Sequence, residues 1–283
     1  MLKYTNTKKI LKELLKKLIY KINPNSKEVY ITPKGARWGN LLYFFLRAYQ
    51  YDQQGKNLRI VHTSHMIELL RHFPSLKKYI IGVNEIKFYH KKDNSNKFYQ
   101  EFGIDFTQDD ILNFIKEHLL TQQVISQYQL SEPANEDLTI NIRRGDFYEK
   151  NNASIYGYDQ IGFIKHVFKN LYPSKKWNRI TVISDNLKWC KENFKFLSEF
   201  CQELYFPEFK DNQVILGFLG IANSKNLILS NSTFSFWGAY LSNYLYDSYE
   251  NTICPIFGSR RIENTDLYQY NPRWNMITDF DFN

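Results

Sequence analysis

The sequence predicts an α/β fold with parallel strands, because short apolar runs that suit strands alternate with helical patterns. Three of these runs, at Leu138–Ile142, Ile180–Ile183 and Asn226–Leu229, end in polar residues and precede a segment with helical spacing. A chain of 283 residues is long enough to form one large domain or two smaller ones. Folds of this class bind ligands outside the carboxyl ends of their strands, so these polar residues are candidates for a site.

The remaining elements follow from apolar periodicity and from Pro, Gly and polar breaks. In the first half, we predict strands at Glu28–Thr32 and Leu58–Thr63, and helices at Leu41–Tyr51, Ile67–Phe73 and Asp109–Leu120. The segment Lys87–Phe102 is predicted to be irregular, with an exposed loop at Lys91–Lys97. A linker at Ser131–Asp137 leads to the second half, with helices at Ile161–Leu171, Leu187–Phe194 and Asn212–Ala222. The predicted division is therefore residues 1–24, 25–135 and 136–283.

Two arginines and an aspartate follow the first of the three apolar runs. Arg143, Arg144 and Asp146 stand where that strand is expected to end. Paired guanidinium groups bind a diphosphate bidentately, so their position suits a nucleotide ligand. The alternative is an Arg–Asp salt bridge that closes a surface turn, and the motif alone does not decide between the two.

Short polar residues follow the other two runs. Asp185 or Asn186 can cap the helix after the second run, and such a helix start also receives anions or ribose hydroxyls. The third run leads into Ser230–Ser235, where hydroxyls, amides and a helix N-terminus can hold phosphate oxygens. Taken singly, both segments are typical strand-to-helix junctions. Three polar strand ends in order, across roughly 100 residues, favour one nucleotide-sugar crevice.

The same segments resemble a known enzyme family. Residues 140–146, Ile-Asn-Ile-Arg-Arg-Gly-Asp, resemble the His-x-Arg-Arg-x-Asp motif of fucosyltransferases. Residues 184–194 and 230–241 are similar to later motifs of bacterial α-1,2-fucosyltransferases, glycosyltransferase family 11. Residues 35–40, Gly-Ala-Arg-Trp-Gly-Asn, resemble the Gly-rich entry motif of that superfamily.

Two residues depart from the family pattern. Leu41 replaces the Gln that follows Gly-Asn, and Asn141 replaces the usual His. An asparagine keeps one donor and one acceptor, but it does not titrate near neutral pH. Asn141 is therefore expected to position its neighbours rather than to transfer a proton.

The resemblance implies a GT-B-like arrangement, in which two Rossmann-like domains face each other across a cleft. It assigns the acceptor to residues 25–135 and GDP-fucose mainly to residues 136–283. Arg143 corresponds to the arginine that neutralises the donor diphosphate, and Arg144 and Asp146 to residues that shape its loop. The other donor-binding residues that the resemblance implies are Arg37, Gly39, Asn40, Asn141, Asp185, Asn231, Ser232, Thr233 and Phe234.

The resemblance also implies a reaction. It is the inverting transfer of L-fucose from GDP-fucose to the 2-hydroxyl of a galactose-type residue on a glycan or lipid-linked surface oligosaccharide. Arg143 and Asp146 are then the expected catalytic residues, and the candidates for the base are Asp146, Glu149 and Asp159. Glu149 and Asp159 are also typical solvated loop carboxylates.

Two alternatives to this reaction remain open. One is a transferase of the same superfamily with another linkage or another GDP-sugar, because contacts to the sugar cannot be read from spacing. The other is a non-catalytic protein that binds glycans or nucleic acid. The intact Arg-Arg-Gly-Asp segment argues against a glycan-binding protein that has lost its catalytic activity. The positive charge is confined to one segment, which argues against nucleic-acid binding.

No cofactor or metal is predicted besides the donor substrate. The Asp-x-Asp pattern that holds divalent ions occurs at Asp279–Asp281, where a frayed tail is the expected structure. His62 and His65 lie three residues apart, without the Cys or Glu-x-x-His context of a zinc site. The three cysteines lack metal-like spacing, which is typical of reduced thiols in a cytosol.

A basic amphipathic helix is predicted over residues 1–24. Residues 1–30 hold eight lysines and two glutamates, which accounts for most of the formal net charge of +8. Apolar residues share one side of this helix, lysines lie opposite, and Pro24 ends it. The helix either rests on an anionic membrane surface or docks on its own domain. The expected location is the cytoplasm, with peripheral attachment to the inner face of the plasma membrane in the first case.

Overall fold

The computed structural model of the protein describes residues 10–19, 27–128, 130, 133–210, 213–260 and 270–282. The chain forms two compact units, unit 1 at residues 1–100 and unit 2 at residues 101–283. The predicted division at residue 135 lies further along the chain than this observed division after residue 100. Residues 101–135 belong to unit 2 because they pack there: the ring of Phe114 lies 5.8 Å from that of Trp237, and Gln108 donates to the Tyr249 hydroxyl at 2.8 Å.

Unit 1 contains a sheet of four parallel strands in the order β3-β2-β1-β4. Its strands are β1 (Glu28–Tyr30), β2 (Leu58–Val61), β3 (Ile80–Ile81) and β4 (Lys91–Asp93). Its helices are α1 at residues 10–19, α2 (Trp38–Gln53) and α3 (Ile67–His72), with short 3₁₀ turns at Ser64–Met66, Pro74–Tyr79 and Val83–Glu85. Helix α2 is buried along most of its length, as expected of a helix that is apolar on nearly every side.

The predicted exposed loop at Lys91–Lys97 is wrong in its first part. Lys91–Asp93 form an edge strand that pairs in parallel with β1. Lys91 Nζ lies 3.2 Å from a carboxylate oxygen of Glu28, and the Tyr99 hydroxyl donates to Asp93. An edge strand tolerates charged side chains because they stay in water, so polarity alone misassigned this segment. Residues 94–97 are exposed, as predicted.

Unit 2 contains a sheet of six parallel strands in the order β10-β9-β8-β5-β6-β7. Its strands are β5 (Asp137–Ile142), β6 (Trp177–Ser184), β7 (Cys201–Tyr205), β8 (Leu227–Ile228), β9 (Thr252–Pro255) and β10 (Asn275–Ile277). Counted from β5, this is the order 3-2-1-4-5-6 of the doubly wound Rossmann sheet. The predicted α/β class with parallel strands is therefore confirmed.

Seven helices of unit 2 are described. They are α4 (Gln108–Phe114), α5 (Gln122–Tyr128), α6 (Lys150–Tyr156), α7 (Gln160–Leu171), α8 (Leu187–Asn193), α9 (Val214–Ala222) and α10 (Thr233–Tyr246). A π-helical turn at Ile115–Leu119 continues α4, and 3₁₀ turns cover Gly145–Tyr148, Lys195–Phe200 and Tyr249–Asn251. Among the described residues, none of the helices combines the length and the apolar character that a membrane crossing requires.

Helices α9 and α10 pack unusually closely at Gly238. A Cβ on Gly238 would lie 2.6 Å from Cγ2 of Ile221, a distance at which atoms clash. Ile221 is fully buried at this contact. The small residue therefore fixes the position of α10, and with it the turn at which that helix begins.

The segment around Asp279–Asp281 is packed, so the expected frayed tail is wrong. Phe282 stacks on Phe257 with ring centroids 5.6 Å apart, and Phe280 lies 5.6 Å from the ring of Phe163. The carboxylate of Asp279 lies 3.0 Å from His166 Nε2. The packing of Phe280 and Phe282 holds this segment in place. The expectation of a frayed tail considered only the position of the segment in the sequence and not these two aromatic side chains.

The predicted helix over residues 1–24 is described at residues 10–19, which are helical. Its other residues lie outside the described part of the chain. Within residues 10–19, the least exposed positions are Lys16 and Ile19.

Candidate functional site

The polar strand ends predicted from the sequence meet at one edge of the unit 2 sheet. Strand β5 lies between β6 and β8 and is parallel to both, so the carboxyl ends of all three face the same side. After β5, the chain forms β6 and β7 on one side of β5. It then crosses to the other side of β5, where it forms β8. The gap between β5 and β8 is thus the topological switch point, where sheets of this kind bind their ligands.

Two carboxylates hold Arg143 at this edge. Its Nη1 lies 2.8 Å from Oδ2 of Asp185, and its Nη2 donates to Oδ1 of Asp146 at 2.5 Å. The side chain of Arg143 is 28% exposed, and that of Asp146 is 50% exposed. The guanidinium group is therefore oriented but reachable from solvent, and Asp146 is the partner that an incoming anion displaces more easily.

Asp185 joins the ends of β5 and β6. Besides its contact with Arg143, its Oδ1 accepts a hydrogen bond from the backbone N–H of Arg144 at 2.7 Å. Helix α8 is capped instead by Asn186, whose Oδ1 accepts from the backbone N–H of Trp189 at 3.1 Å. Both carboxylate oxygens of Asp185 thus hold residues 143–146, which we call the arginine loop. Its implied role on the nucleoside side of the donor stays a prediction.

Gly145 allows Asp185 to approach the arginine loop. A Cβ on Gly145 would lie 2.4 Å from Oδ2 of Asp185, well inside van der Waals contact. Any side chain at this position would push the carboxylate away from Arg143. The glycine of the Arg-Arg-Gly-Asp segment therefore has a steric role that the sequence pattern alone did not reveal.

Two aromatic rings hold the guanidinium group of Arg144. Its Cζ lies 3.5 Å from the ring centroid of Tyr148 and 3.9 Å from that of Trp189. Such cation–π contacts stabilise an arginine without neutralising it. Burial raises the pKa of the Tyr148 phenol, which donates to the carbonyl of Tyr158 at 2.8 Å. Arg144 is thus a fixed positive charge beside Arg143.

Asn141, near the end of β5, forms hydrogen bonds to the ends of two neighbouring strands. It is buried, its Nδ2 donates to the carbonyl of Ile183 at 3.2 Å, and its Oδ1 accepts from the hydroxyl of Ser230 at 2.8 Å. Since both polar ends of the amide bond to neighbouring strands, the side chain acts as a brace across β6, β5 and the end of β8. This geometry suits the positioning role that an asparagine can fill.

The turn between β8 and α10 uses its polar side chains internally. Ser232 caps α10, since its hydroxyl accepts from the backbone N–H of Phe234 at 3.3 Å. Ser235 is fully buried and donates to the carbonyl of Ser230 at 3.0 Å. These bonds fix the start of a helix of fourteen residues, and a helix N-terminus attracts anions.

Asn231 connects this turn to two neighbouring loops. Its Nδ2 donates to the carbonyls of Tyr156 at 3.0 Å and Gly258 at 3.1 Å. Thr233 and Phe234 are half-buried, and the ring of Phe234 lies 5.3 Å from that of Phe218. Of the predicted residues in this turn, Asn231 and Ser232 shape it, and their contact with a donor stays a prediction.

The predicted residues of unit 1 lie at the start of α2, after the central strand β1. Arg37 is exposed and precedes the helix, with its Nη1 3.2 Å from Nε2 of His65. Gly39 is buried in the first turn, and the amide oxygen of Asn40 accepts from Gln100 at 2.8 Å. A strand, a turn and a helix N-terminus recur here, which is the arrangement that favours anions.

The three candidates for the base differ in their surroundings. Asp159 caps α7, since its Oδ1 accepts from the backbone N–H of Gly162 at 2.9 Å. Glu149 is exposed and immediately precedes α6. Asp146 alone of the three forms an ion pair with Arg143 among the described residues. Asp146 is therefore the candidate that lies at the switch point.

Sequence reasoning missed three side chains that hold the arginine loop. Gln160 is buried and donates to the carbonyl of Arg143 at 3.0 Å, while Tyr148 and Trp189 stack on Arg144. Tyr148 follows Arg144 by four residues, the spacing of one helical turn, which is a usable signal. Trp189 and Gln160 come from other elements, so nothing local in the sequence identifies them.

The described residues contain no group of three or more His, Cys, Asp and Glu side chains suited to a metal ion. His62 and His65 belong to this described part, and so does Asp279, which lies against His166. Charge compensation at the switch point is available from Arg143 and Arg144.

A comparison with known proteins gives a family match. The family model described as Glycosyl transferase family 11 matches residues 54–277. An alpha-1,2-colitosyltransferase of Escherichia coli is 31% identical over 115 residues, which cover 38% of this chain and 37% of that protein. The O-antigen biosynthesis glycosyltransferase WbnK of Escherichia coli is 27% identical over 143 residues, covering 48% of this chain and 42% of that protein. The chain thus aligns with about two fifths of each relative.

Two solved structures are also similar. The crystal structure of NodZ alpha-1,6-fucosyltransferase soaked with GDP-fucose has a TM-score of 0.48 at 9% identity, covering 76% of this chain and 93% of that chain. The Escherichia coli heptosyltransferase WaaC with ADP has a TM-score of 0.42 at 12% identity, covering 88% and 92%. Scores this low do not establish a common fold, so the assignment of the unit 2 fold depends on its own strand order.

Proposed function

The chain belongs to glycosyl transferase family 11, and from that premise we propose that it transfers L-fucose from GDP-fucose to the 2-hydroxyl of a galactose-type residue. The acceptor is a glycan or a lipid-linked surface oligosaccharide, and the anomeric centre is inverted. The observation that carries the proposal is the position of Arg143 and Arg144 at the carboxyl end of β5, the strand that borders the switch point. Helix α10 begins after β8, the strand on the other side of the switch point, so the proposal assigns the donor diphosphate to the two arginines and this helix N-terminus.

The arginines suit the charge that develops during such a transfer. As the bond to the sugar breaks, negative charge grows on the departing diphosphate. Arg143, fixed by Asp185, offers its guanidinium group to that charge, and groups that bind growing charge lower the barrier most effectively. Arg144 adds a second positive charge that no conformational change has to bring into place.

Asp146 has two successive roles in this proposal. In the absence of donor, it pairs with Nη2 of Arg143. The diphosphate takes over that nitrogen, and the released carboxylate then accepts the proton of the attacking acceptor hydroxyl. Inversion requires the base and the leaving group on opposite sides of the sugar, so this role requires the released carboxylate of Asp146, which is 50% exposed, to turn away from Arg143 towards the acceptor side.

Unit 1 contributes Arg37, Gly39 and Asn40 in this proposal, as donor contacts from a second Rossmann-like domain in a GT-B-like arrangement. These residues precede the matched range of 54–277, so their role draws its support from the resemblance of residues 35–40 alone. The reaction is proposed to need no divalent metal, since two arginines compensate the diphosphate. The proposed location is the cytoplasm.

The proposal is tested by incubating the purified chain with GDP-fucose and a galactose-terminated acceptor, in buffer with EDTA. The expected product carries fucose on the 2-hydroxyl, with the anomeric configuration opposite to that of the donor, as determined by NMR. Transfer to another hydroxyl, or retention of configuration, would overturn the linkage or the mechanism respectively.

A second candidate keeps the site and changes the sugar. One of the relatives is named an alpha-1,2-colitosyltransferase, so a nucleotide-activated colitose is the alternative donor. The contacts of Arg143, Arg144 and Asp185 concern the nucleotide side and do not distinguish the two sugars. Parallel assays with both donors at equal concentration discriminate between them through the ratio of kcat/KM values.

A further inference from the structure

Helix α1 exposes its apolar side. Five apolar residues, spaced three and four apart, are 43% to 59% exposed: Ile10, Leu11, Leu14, Leu15 and Leu18. The spacing places them on one stripe of the helix. A contiguous apolar stripe on a protein surface marks a contact with a partner or a membrane. The apolar side of residues 10–19 is therefore not the side that docks on unit 1.

The lysine side of the same helix faces unit 1 instead. Lys12 Nζ lies 5.6 Å from the ring centroid of Phe88, and Lys16 is among the least exposed residues of α1. An open cavity of about 480 Å³ lies between this side and the segment around β4. Its charged walls consist of five lysines and one glutamate: Lys12, Glu13, Lys16, Lys17, Lys91 and Lys92.

The apolar stripe and the basic cavity together suit one kind of partner. An anionic lipid surface offers an apolar layer for the leucines and phosphate groups for the lysines, at the depths where an interfacial helix presents them. A second copy of this chain would bring the same surplus of lysines into the contact, and like charges repel. The charge pattern therefore favours a membrane over self-association.

We propose that residues 10–19 bind an anionic membrane surface. The stripe from Ile10 to Leu18 lies among the upper acyl chains, and headgroup phosphates occupy the lysine-lined cavity beside it. This mode of binding attaches the protein peripherally, without a spanning segment. The inference does not depend on the proposed reaction, because α1 contains none of the residues assigned to the transfer.

The test measures co-sedimentation of the full chain with phosphatidylcholine vesicles that contain or lack phosphatidylglycerol. The paired substitution Leu14→Ser with Leu18→Ser is expected to weaken binding to anionic vesicles roughly tenfold or more, because it removes two immersed side chains. Its matched control is Val83→Ser with Ile104→Ser, at two other exposed apolar positions. The control is expected to bind like the wild type.

A second pair of variants tests the charges. Lys12→Gln with Lys16→Gln is expected to weaken anionic binding by about fivefold for each lysine. Lys77→Gln with Lys195→Gln removes the same charge from other surfaces and is expected to have little effect. Since all the substituted side chains are at least partly exposed, unchanged melting temperatures are expected to show that the variants fold.

Three outcomes would overturn the proposal. The first is a wild-type chain that does not bind anionic vesicles. The second is undiminished binding by the leucine pair. The third is a wild-type dimer that the leucine pair converts to a monomer while vesicle binding persists, which would assign the stripe to a second copy.

Discussion

Arg143 and Asp185 form an ion pair, with 2.8 Å between Nη1 and Oδ2, that joins the ends of the neighbouring strands β5 and β6. The residues lie 42 positions apart in the sequence, yet the parallel register brings their strand ends side by side. Asp185 also accepts from the backbone of Arg144. One carboxylate therefore holds the side chain of Arg143 and the backbone of Arg144, the two arginines proposed to bind the donor diphosphate.

Replacement of Arg143 tests its proposed role in the transition state. Arg143→Ala is expected to lower kcat/KM by on the order of a hundredfold or more, since removing one group that stabilises developing charge typically costs about 3 kcal/mol. Arg179→Ala is the matched control, because Arg179 lies on β6 but pairs with Glu203 at an exposed position. A variant that keeps more than about a tenth of the wild-type rate would contradict the assignment.

Gly145→Ala tests the steric link between the arginine loop and Asp185. The added methyl group would overlap Oδ2 of Asp185, so we expect the Arg143–Asp185 pair to open and GDP binding to weaken. Asp185→Asn is expected to weaken it in the same direction. If the two act through the same contact, the double variant loses no more than the stronger single one, which calorimetry measures as a double-mutant cycle. Fully additive losses would show that the contact is not shared.

Asp146→Asn separates binding from chemistry. The proposed base is lost, so kcat is expected to fall by roughly a hundredfold to ten-thousandfold. GDP binding is expected to be equal or tighter, because an anion no longer has to displace a carboxylate from Arg143. Glu149→Gln serves as the control at an exposed position nearby. Normal kcat in the Asp146 variant, or a large loss in the Glu149 variant, would move the base elsewhere.

Trp189 is expected to act through Arg144. Trp189→Leu removes one of the two rings that hold the guanidinium group, so the donor KM should rise, while Trp189→Phe should restore much of the loss. The stacking of Arg144 against an aromatic ring is the reason for this rescue. Steady-state kinetics on the two variants checks it, and equal defects in both would indicate a packing role for the indole instead.

Asn141 is expected to matter for stability as well as for the site. Asn141→Ala removes the hydrogen bonds to the carbonyl of Ile183 and from the hydroxyl of Ser230, which keeps its 3.3 Å contact with the Ser235 hydroxyl. A buried group that loses its partner costs about 1–3 kcal/mol. Thermal unfolding should therefore occur at a lower temperature, with Ser154→Ala as an exposed control. An unchanged melting temperature would show that Asn141 does not brace the strand ends.

Much of the candidate site was predictable, because it consists of strand ends that short sequence patterns indicate. Each of the strand ends at Arg143, Asp185 and Ser230 follows a short apolar run, and such runs are typical of the buried strands of parallel sheets. The resemblance to glycosyltransferase family 11, based on the same segments, is confirmed by the family match over residues 54–277. The resemblance implied a Rossmann-like domain for this part of the chain, and the observed strand order is that of a doubly wound Rossmann sheet.

The remaining features depend on contacts between distant residues. Strand β7 is exposed at most positions, and β4 is charged, so neither shows the apolar pattern of a buried strand. The steric role of Gly145 required the position of Asp185, which lies 40 residues further along the chain. The lysines of α1 face the segment around β4, although an amphipathic helix usually packs its apolar side against the protein. The sequence alone therefore left two interpretations of this helix open.

The most direct test of the account is calorimetric binding of GDP, GDP-fucose, GDP-mannose and UDP-galactose, with EDTA present throughout, to the wild type and to Arg143→Ala. We expect that the guanosine ligands bind the wild type, that UDP-galactose does not, and that Arg143→Ala loses most of the GDP affinity. Absence of guanosine binding, or equal GDP affinity in the two proteins, would contradict the assignment of the switch point as a donor site.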